Sequence, residues 1–480
     1  MNYVIEGRKP ESIFRFFEDI CAIPHGSGNE EAIADYIVAF AEERGLEYKR
    51  DAVHNVFVKK AATAGREGEP PMMMQAHTDM VCEKNAGTEH DFLTDPLDLY
   101  VEDGWLHARG TTLGADDGIG VAIMLAALDG AAVSHPALEC LFTVSEETGM
   151  DGVNNFDFSA VTARRLINLD AAEVDTVIAG CAGGVRCNLT VAGEKVKNTM
   201  SGALSVKVSG LAGGHSGENI NHGRSNANKI IGRYLLALGA AGVEYSLVSV
   251  NGGGKSNAIP RECVAVIATN DAKKAVAISK EMEKIVKNEL SELDSAFSLV
   301  AQAIDAPEYT FDASTTRRAV SLLGIAPNGV LKMSYKVSGL VEYSNNLGVI
   351  TTKENGIVFT FMARSGINAQ LDWFCTELEA LASLCGAEVE YNERYGGWDF
   401  AEVSPLRDSY AEAYREVVGK EPRIESIHAG LECGFIIDSI PGMDIISVGP
   451  NEVDIHSPDE RLELSSVETL WSIIEKVLAK

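Results

Sequence analysis

Short apolar runs alternate with helical patterns through the first third of the chain, and this alternation constrains the fold more than any other feature. Buried strands are predicted at residues 72–76, 138–144 and 166–169, with helices at 29–43 and 117–128. An alternation of this kind is typical of an α/β fold built on a mostly parallel sheet. We therefore predict such a sheet here, with the helices packed against it.

From about residue 197 the pattern changes to strands that alternate with long amphipathic helices. The predicted strands are 203–208, 245–250, 263–269, 297–303, 348–352, 357–362 and 388–391, and the predicted helices are 226–238, 272–290, 316–323 and 370–384. No sequence repeat is visible, but the order of the elements looks duplicated. The first pattern returns after residue 394. We predict an α/β domain formed by residues 1–184 and 395–480 and interrupted by an inserted α+β domain, residues 185–394.

The composition excludes several classes of protein. The 480 residues include 41 basic and 70 acidic side chains, which gives a net charge of −29. Such a charge repels phosphate backbones and anionic membrane surfaces, so no nucleic-acid or membrane partner is expected. No apolar run reaches the length of a membrane span, and the N-terminus lacks the pattern of a signal peptide. Nine cysteines without regular spacing favour reduced thiols and a cytoplasmic location.

Histidine and carboxylate side chains recur just after predicted strands or in the Gly-rich turn before helix 117–128. In chain order they are His77, Asp79, Asp116, Asp117, Glu146, Glu147, Asp170 and His456. The carboxyl ends of the strands form the ligand crevice of an open α/β sheet, so these segments can converge there. Each segment alone is more often structural; an Asp-Asp pair before a helix, for example, is usually a cap. Their recurrence at the same end of several strands favours a shared site.

The chemistry of these side chains is that of a metal centre. Two histidines and several carboxylates are what a pair of zinc-like divalent ions needs, with one carboxylate bridging them. Two such ions polarise a carbonyl group and lower the pKa of a shared water molecule. A carboxylate left over near that water supplies a general base.

Eight segments make the interpretation specific. In order, they are HTDM, GTTLGADDGIGVA, SEETGMDG, LDAAE, GLAGGHSGENI, GGGKSNAIPRE, HAGLECG and HSPDE. Together they resemble the cytosolic dipeptidases of the M20 metallopeptidase family, in particular the bacterial aminoacyl-histidine (Xaa-His) dipeptidase branch. The resemblance spans nearly the whole chain. It implies that the interrupted domain is a zinc-peptidase catalytic domain and that the inserted domain is its lid.

The resemblance also implies a set of metal ligands. His77 and Asp170 would hold one zinc ion, Glu147 and His456 would hold the other, and Asp116 would bridge both. The implied cofactor is thus two Zn²⁺ per chain, with Co²⁺ or Mn²⁺ as substitutes.

Three catalytic roles follow from the same resemblance. Glu146 would be the general base for a metal-bridging water, Asp79 would orient His77, and His215 of the lid would stabilise the oxyanion. Without the resemblance, His215 is better interpreted as a loop histidine that caps the following helix. The implied substrate-binding residues are Asn257, Arg364 and Gly430.

The leading hypothesis is a di-zinc dipeptidase that hydrolyses unblocked L-dipeptides, with a preference for Xaa-His. Relatives that deacylate N-acyl amino acids or cleave tripeptides would carry the same metal centre. An inactive metal-binding scaffold is a third hypothesis, and the intact Glu146 and Asp79 count against it. The insert is about twice the length of the single lid that dimerises in many relatives. A homodimer is compatible with the sequence, but the doubled lid questions whether a second subunit completes the site.

Overall fold

The protein is described by a computed structural model that covers residues 3–480. Its α-helices are α1 Glu11–Cys21, α2 Glu31–Glu43, α3 Ala115–Asp129, α4 Glu146–Gly149, α5 Asp151–Asn155, α6 Ala227–Ala240, α7 Ala272–Lys287, α8 Ala313–Ile325, α9 Asn368–Cys385, α10 Pro405–Val418, α11 Glu432–Ser439 and α12 Leu464–Ala479. Its strands are β1 Glu47–Arg50, β2 Val56–Lys60, β3 Met72–His77, β4 Leu99–Glu102, β5 Trp105–Ala108, β6 Leu138–Thr143, β7 Arg165–Asn168, β8 Thr176–Cys181, β9 Gly183–Ala192, β10 Lys195–Lys197, β11 Gly202–Ser209, β12 Gly214–His215, β13 Tyr245–Gly252, β14 Ala258–Ile259, β15 Cys263–Thr269, β16 Ser298–Ile304, β17 Tyr309–Phe311, β18 Gly329–Met333, β19 Val341–Lys353, β20 Gly356–Ser365, β21 Glu388–Tyr395, β22 Arg423–Ile427, β23 Asp444–Ser447, β24 Glu452–Val453 and β25 Arg461–Glu463.

The chain forms two compact units. Unit 1 contains the described residues up to Gly180 together with Phe400–Ser426 and Leu431–Lys480. Unit 2 contains Cys181–Asp399 and Ile427–Gly430. The insertion expected at residues 185–394 lies within unit 2. The segment Ile427–Gly430 also belongs to unit 2. The sequence analysis did not predict this, because so short a segment carries no pattern of its own.

Unit 1 is built on an eight-stranded sheet with the order β1-β2-β6-β3-β7-β23-β8-β22. The predicted α/β class is confirmed, and the predicted buried strands are β3, β6 and β7. The sheet is mixed rather than mostly parallel: the central strands β6, β3, β7 and β23 run parallel, whereas the pairs β1–β2, β2–β6 and β23–β8 are antiparallel. Strands β1 and β2 are antiparallel because the short turn between them does not allow the crossover that a parallel pair needs.

Helix α3 positions part of the site because it is buried in the core of unit 1. Every residue from Asp117 to Leu128 is buried, which explains a sequence that is small and apolar on all sides. A Cβ atom at Gly118 would lie 3.2 Å from the ring of Phe17 on α1, so the two helices pack closely. The buried body of α3 fixes the place of the aspartates at its start.

Unit 2 contains an antiparallel sheet with the order β16-β11-β15-β13-β19-β20-β9-β21. The first four strands come from one βαββαβ segment. The last four are β9 and three strands that follow β18 in the chain, namely β19, β20 and β21. If the four strands of each half are numbered in the order in which they occur in the chain, both halves show the order 4-1-3-2, counted from the outer edge of the sheet towards its middle. They meet where β13 pairs with β19 through Gly252 and Ile350. Helices α6 to α9 share one hydrophobic core with these strands.

Candidate metal centre

Five side chains of unit 1 lie together around the carboxylate of Asp116. One oxygen of Asp116 is 3.1 Å from Nε2 of His77, and the other is 3.3 Å from Nε2 of His456. The same His77 nitrogen is 3.9 Å from an oxygen of Asp170. The same His456 nitrogen is 2.8 Å from an oxygen of Glu147. The cluster therefore divides into two groups that share Asp116.

The donor atoms of each group are close enough to surround a single ion. His77, Asp116 and Asp170 form one group and Asp116, Glu147 and His456 form the other, with donor atoms within 4.8 Å of one another in each. Each group offers one imidazole nitrogen and two carboxylates, a donor set that suits zinc and similar divalent ions. Asp116 turns a different oxygen to each group. The residues present thus fit two ions joined by one bridging carboxylate.

The charges of these side chains are arranged as such a site requires. Burial works against the charged form of Asp116, but hydrogen bonds with His456 and His77 hold its pKa below the usual range. Hydrogen bonds with Asp116 and Glu147 raise the pKa of His456 to about 10. Burial opposes protonation of His77, yet Asp116 and Asp79 raise its pKa well above the usual value. Both imidazoles therefore lie among carboxylates that favour positive charge, as a cation site requires.

Glu146 lies beside this cluster. It is outside the two groups that share Asp116, but its carboxylate forms a third set of donor atoms with His77 and Glu147, also within 4.8 Å of one another. Glu146 begins the short helix α4 after β6, and the preceding Ser145 has a left-handed φ of 56°, which turns the chain sharply at the strand end. Burial raises the pKa of Glu146 to about 8, and the nearby carboxylates of Glu432 and Glu147 add to the effect. A carboxylate with a raised proton affinity next to a metal-type cluster is suited to accept a proton.

Asp79 joins several parts of the site, and its side chain is fully buried. Its carboxylate accepts hydrogen bonds from the hydroxyl of Ser27 at 2.8 Å, from the N–H of Glu146 at 3.0 Å and from the N–H of Glu147 at 3.2 Å. Nδ1 of His77 lies 2.9 Å from the backbone oxygen of Asp79 and 3.4 Å from its carboxylate. Asp79 thus fixes the ring of His77 and leaves Nε2 to face the cluster.

Two further carboxylates support the site: Glu460, which the sequence analysis did not name as a candidate, and Asp117, which it named without assigning it a role. Glu460 accepts hydrogen bonds from the three successive N–H groups of Leu113, Gly114 and Ala115, at 2.7 to 3.0 Å, and so holds the loop that carries Asp116. The buried Asp117 accepts a hydrogen bond from the N–H of His77 at 3.3 Å. Glu460 stands in the HSPDE segment, but nothing in that segment indicates that its partners lie about 345 positions earlier.

The other predicted residues belong to unit 2. Nε2 of His215 lies 3.4 Å from the guanidinium group of Arg364, and the backbone oxygen of Asn257 accepts a hydrogen bond from the N–H of Ser216 at 2.8 Å. His215, Asn257 and Arg364 are therefore brought together. Gly430 lies in the segment Ile427–Gly430 of the same unit.

Both ring nitrogens of His215 have a hydrogen-bond donor as neighbour. Nδ1 accepts a hydrogen bond from the N–H of Glu218 at 3.3 Å, and Nε2 faces the guanidinium group of Arg364, which can only donate. Burial and the neighbouring Arg364 lower the pKa of His215. Arg364 is only 4% exposed and donates a hydrogen bond to the hydroxyl of Tyr395 at 3.0 Å.

Comparison with known proteins identifies the family. The sequence profile of Peptidase family M20/M25/M40 matches residues 73–480. The chain belongs to this family. The M20 chain is 39% identical over 473 residues to the cytosol non-specific dipeptidase of Escherichia coli (strain K12), which covers 98% of this chain and 97% of that protein. The predicted M20 resemblance is confirmed.

Two solved structures resemble the chain. Aminoacylhistidine dipeptidase from Vibrio alginolyticus matches with a TM-score of 0.90 at 37% identity, over 98% of the M20 chain and 96% of that structure. Aminopeptidase PepT from Bacillus cereus ATCC 10987 matches with a TM-score of 0.57 at 15% identity, over 98% of both chains, and shows a likeness of fold alone. Within residues 3–480, no helix of the M20 chain is both long and apolar enough to cross a membrane.

Proposed function

We propose that this chain is a dipeptidase that hydrolyses unblocked L-dipeptides with the help of two divalent metal ions, zinc in the first place and cobalt or manganese as substitutes. The observation that carries the proposal is the position of Asp116, whose two oxygens face two separate groups of donor atoms. Two similar proteins are a cytosol non-specific dipeptidase and an aminoacylhistidine dipeptidase, and they support the choice of a dipeptide substrate.

The side chains of unit 1 would divide the chemistry among them. His77, Asp116, Glu147, Asp170 and His456 would hold the ions. When bound, the ions would polarise the scissile carbonyl group and make the attacking water more acidic. Glu146 would accept a proton from that water and later pass it to the leaving amine, a role that its raised pKa supports. By keeping His77 in one orientation, Asp79 would hold one group of ligands in place.

The side chains of unit 2 would recognise the substrate. The buried guanidinium group of Arg364 would bind the terminal carboxylate of the peptide together with Asn257, because arginine matches a carboxylate with two parallel hydrogen bonds. The imidazole of His215 would stabilise the oxyanion that forms during attack by donating a hydrogen bond to it. Gly430 would line the pocket without a side chain to obstruct it.

A panel of substrates tests the proposal. The metal-loaded protein is given Xaa-His dipeptides, the matching Xaa-Ala dipeptides, N-acetylated amino acids and tripeptides, and kcat/KM is measured for each. We expect unblocked dipeptides to be cleaved best and Xaa-His to lead among them. Preferred cleavage of the N-acetylated amino acids would contradict the proposal and indicate a deacylase with the same metal centre. Preferred cleavage of the tripeptides would likewise indicate a tripeptidase.

We also propose that the enzyme works in the cytoplasm and that one chain carries a complete site, even where it forms a homodimer. The nine cysteines without regular spacing support the location. The equal strand order of the two halves of unit 2 supports an internal duplication. A duplicated lid would supply, within one chain, the lid histidine that a second subunit supplies in relatives with a single lid.

A further inference from the structure

We propose that Asn346 is a positioning residue that holds His215 and Asn257 in place for the proposed reaction, on which this inference rests. Asn346 lies on β19 and is 1% exposed. Its amide nitrogen donates two hydrogen bonds, to the backbone oxygen of Ser256 at 3.0 Å and to that of Ala258 at 2.8 Å. The two acceptors directly flank Asn257, so one buried amide group is hydrogen-bonded to the loop on both sides of that residue.

The same loop carries the position of His215. Strand β14 begins at Ala258, which pairs with His215 in the two-stranded ladder of β12 and β14. The backbone oxygen of Asn257 accepts a hydrogen bond from the N–H of Ser216, the residue after His215. A shift of the loop would therefore move His215 and Asn257 together.

The amide of Asn346 is itself held in one orientation. Its oxygen accepts a hydrogen bond from the side chain of Asn226 at 3.2 Å, and Asn226 also donates to Asn328 and to the backbone oxygen of Leu347. Asn226 caps the start of helix α6 at the same time. Because the oxygen of Asn346 already has a donor, its nitrogen must face the loop, and an aspartate at this position could not replace it.

The backbone of β19 brings the loop close to Asn346. A Cβ atom at Gly348 would lie 2.5 Å from the backbone oxygen of Ser256, which is too close for any side chain. The loop therefore lies directly on the strand, and it is fixed there by shape as well as by hydrogen bonds. This contact offers a second way to displace the loop, without removing a buried polar group.

Asn345 provides a matched control. It is 0% exposed and lies on the same strand, but its amide donates to the backbone oxygen of Pro327 at 2.7 Å and none of its hydrogen bonds goes to the loop at 256–258. Asn345→Ala and Asn346→Ala each remove a buried amide from β19, although Asn346 makes three hydrogen bonds and Asn345 one. The control therefore shows what the loss of a buried amide from this strand does to kcat when the loop at 256–258 is left untouched.

The test measures kcat, KM and metal content for Asn346→Ala, Asn346→Asp, Gly348→Ala and Asn345→Ala. We expect kcat to fall about 10–100-fold in the first three, since small misplacements of catalytic groups have effects of this size. KM should rise less than kcat falls, because Arg364, the other group proposed to bind the carboxylate, lies on β20 outside the loop. Metal content should stay the same, and Asn345→Ala should keep the wild-type kcat. A wild-type kcat in Asn346→Asp or in Gly348→Ala would overturn the inference.

A double-mutant cycle separates positioning from a merely structural effect. If Asn346 acts through His215, adding Asn346→Ala to His215→Ala should lower kcat by less than threefold more. A full 10–100-fold further loss would show that Asn346 acts by another route and would contradict the inference. Wild-type activity in His215→Ala alone would instead refute the role of His215 in the proposed function, so the two failures are distinguishable.

Discussion

The N–H of Glu146 donates a hydrogen bond to the carboxylate of Asp79 at 3.0 Å. This bond ties the residue proposed as the general base to the residue proposed to orient His77, itself a proposed metal ligand. Because the base and the ligand are fixed through one buried carboxylate, a change at Asp79 should disturb both at once.

Replacement of Asp79 by asparagine should weaken metal binding and turnover together. The amide keeps the shape of the side chain but offers one acceptor oxygen in place of two, so Ser27 and the N–H groups of Glu146 and Glu147 cannot all be satisfied. Loss of such a supporting group typically costs about 10–100-fold in metal affinity or activity. Competition with a chelator and steady-state kinetics measure the two effects. Unchanged metal affinity and unchanged kcat would show that Asp79 does not support the site.

Replacement of Glu146 by glutamine should separate chemistry from metal binding. The amide cannot accept a proton, so kcat should fall about 10²–10⁴-fold while both ions stay bound. Glu147→Gln is the matched comparison: it should lose metal, because Glu147 shares a group of donor atoms with Asp116 and His456, whereas Glu146 occurs only in the set with His77 and Glu147, which lacks Asp116. Elemental analysis of both variants decides the assignment. Loss of metal in Glu146→Gln with retention in Glu147→Gln would reverse the roles of the two residues.

The stability of unit 2 should fall in acid because of His428. Burial lowers the pKa of His428 to about 3, and the nearby Arg364 and His215 add to the effect; its Nε2 lies 2.7 Å from the hydroxyl of Ser344. Between pH 6.5 and 3 the unfolded chain therefore binds a proton that the folded chain does not. By linkage, the stabilisation from neutral His428 is complete above about pH 6.5 and is lost as the pH falls towards 3.

The glutamine variant isolates this contribution. In His428→Gln, the free energy of unfolding should depend less steeply on pH between 6 and 4, by up to about 1.4 kcal/mol per pH unit. Urea unfolding at several pH values, followed in the wild type and the variant, measures the difference. Equal slopes in the two proteins would mean that His428 titrates normally in the folded chain.

Mixing of inactive subunits should not restore activity. Glu146→Gln and His215→Ala chains are combined under conditions that exchange subunits, with the Glu146→Gln chain in excess. If each chain holds a complete site, every site retains one defect and the mixture stays as inactive as its parts. Recovery to the level expected for mixed dimers would show that His215 acts across subunits, and the proposal of an in-chain site would be wrong.

The sequence predicted the local elements of the fold better than their long-range partners. The apolar runs that became β3, β6 and β7 carry their own signal, because buried central strands have no polar face. Strand β9 was not predicted; it begins with Gly183 and Gly184, which suit the close approach of residues 395–397 but weaken a strand pattern.

In the candidate site, too, local features could be predicted better than long-range contacts. His77, Asp116 and Asp170 could be proposed because they follow strands or begin a helix in recognisable segments. Glu460 and Asn346 could not, because each acts on backbone groups far away in the chain, and such pairing leaves no local pattern. The residues that hold the site in shape are therefore the ones that sequence reasoning misses.

Stoichiometric reconstitution with zinc tests the central claim most directly. The protein is stripped of metal with a chelator, zinc is added in steps, and the rate of dipeptide hydrolysis is plotted against the number of ions bound per chain. The account predicts no activity in the stripped protein and a rise that levels off at two bound ions per chain. Dipeptide hydrolysis that survives complete removal of metal, or that is already maximal with a single ion per chain, would contradict it.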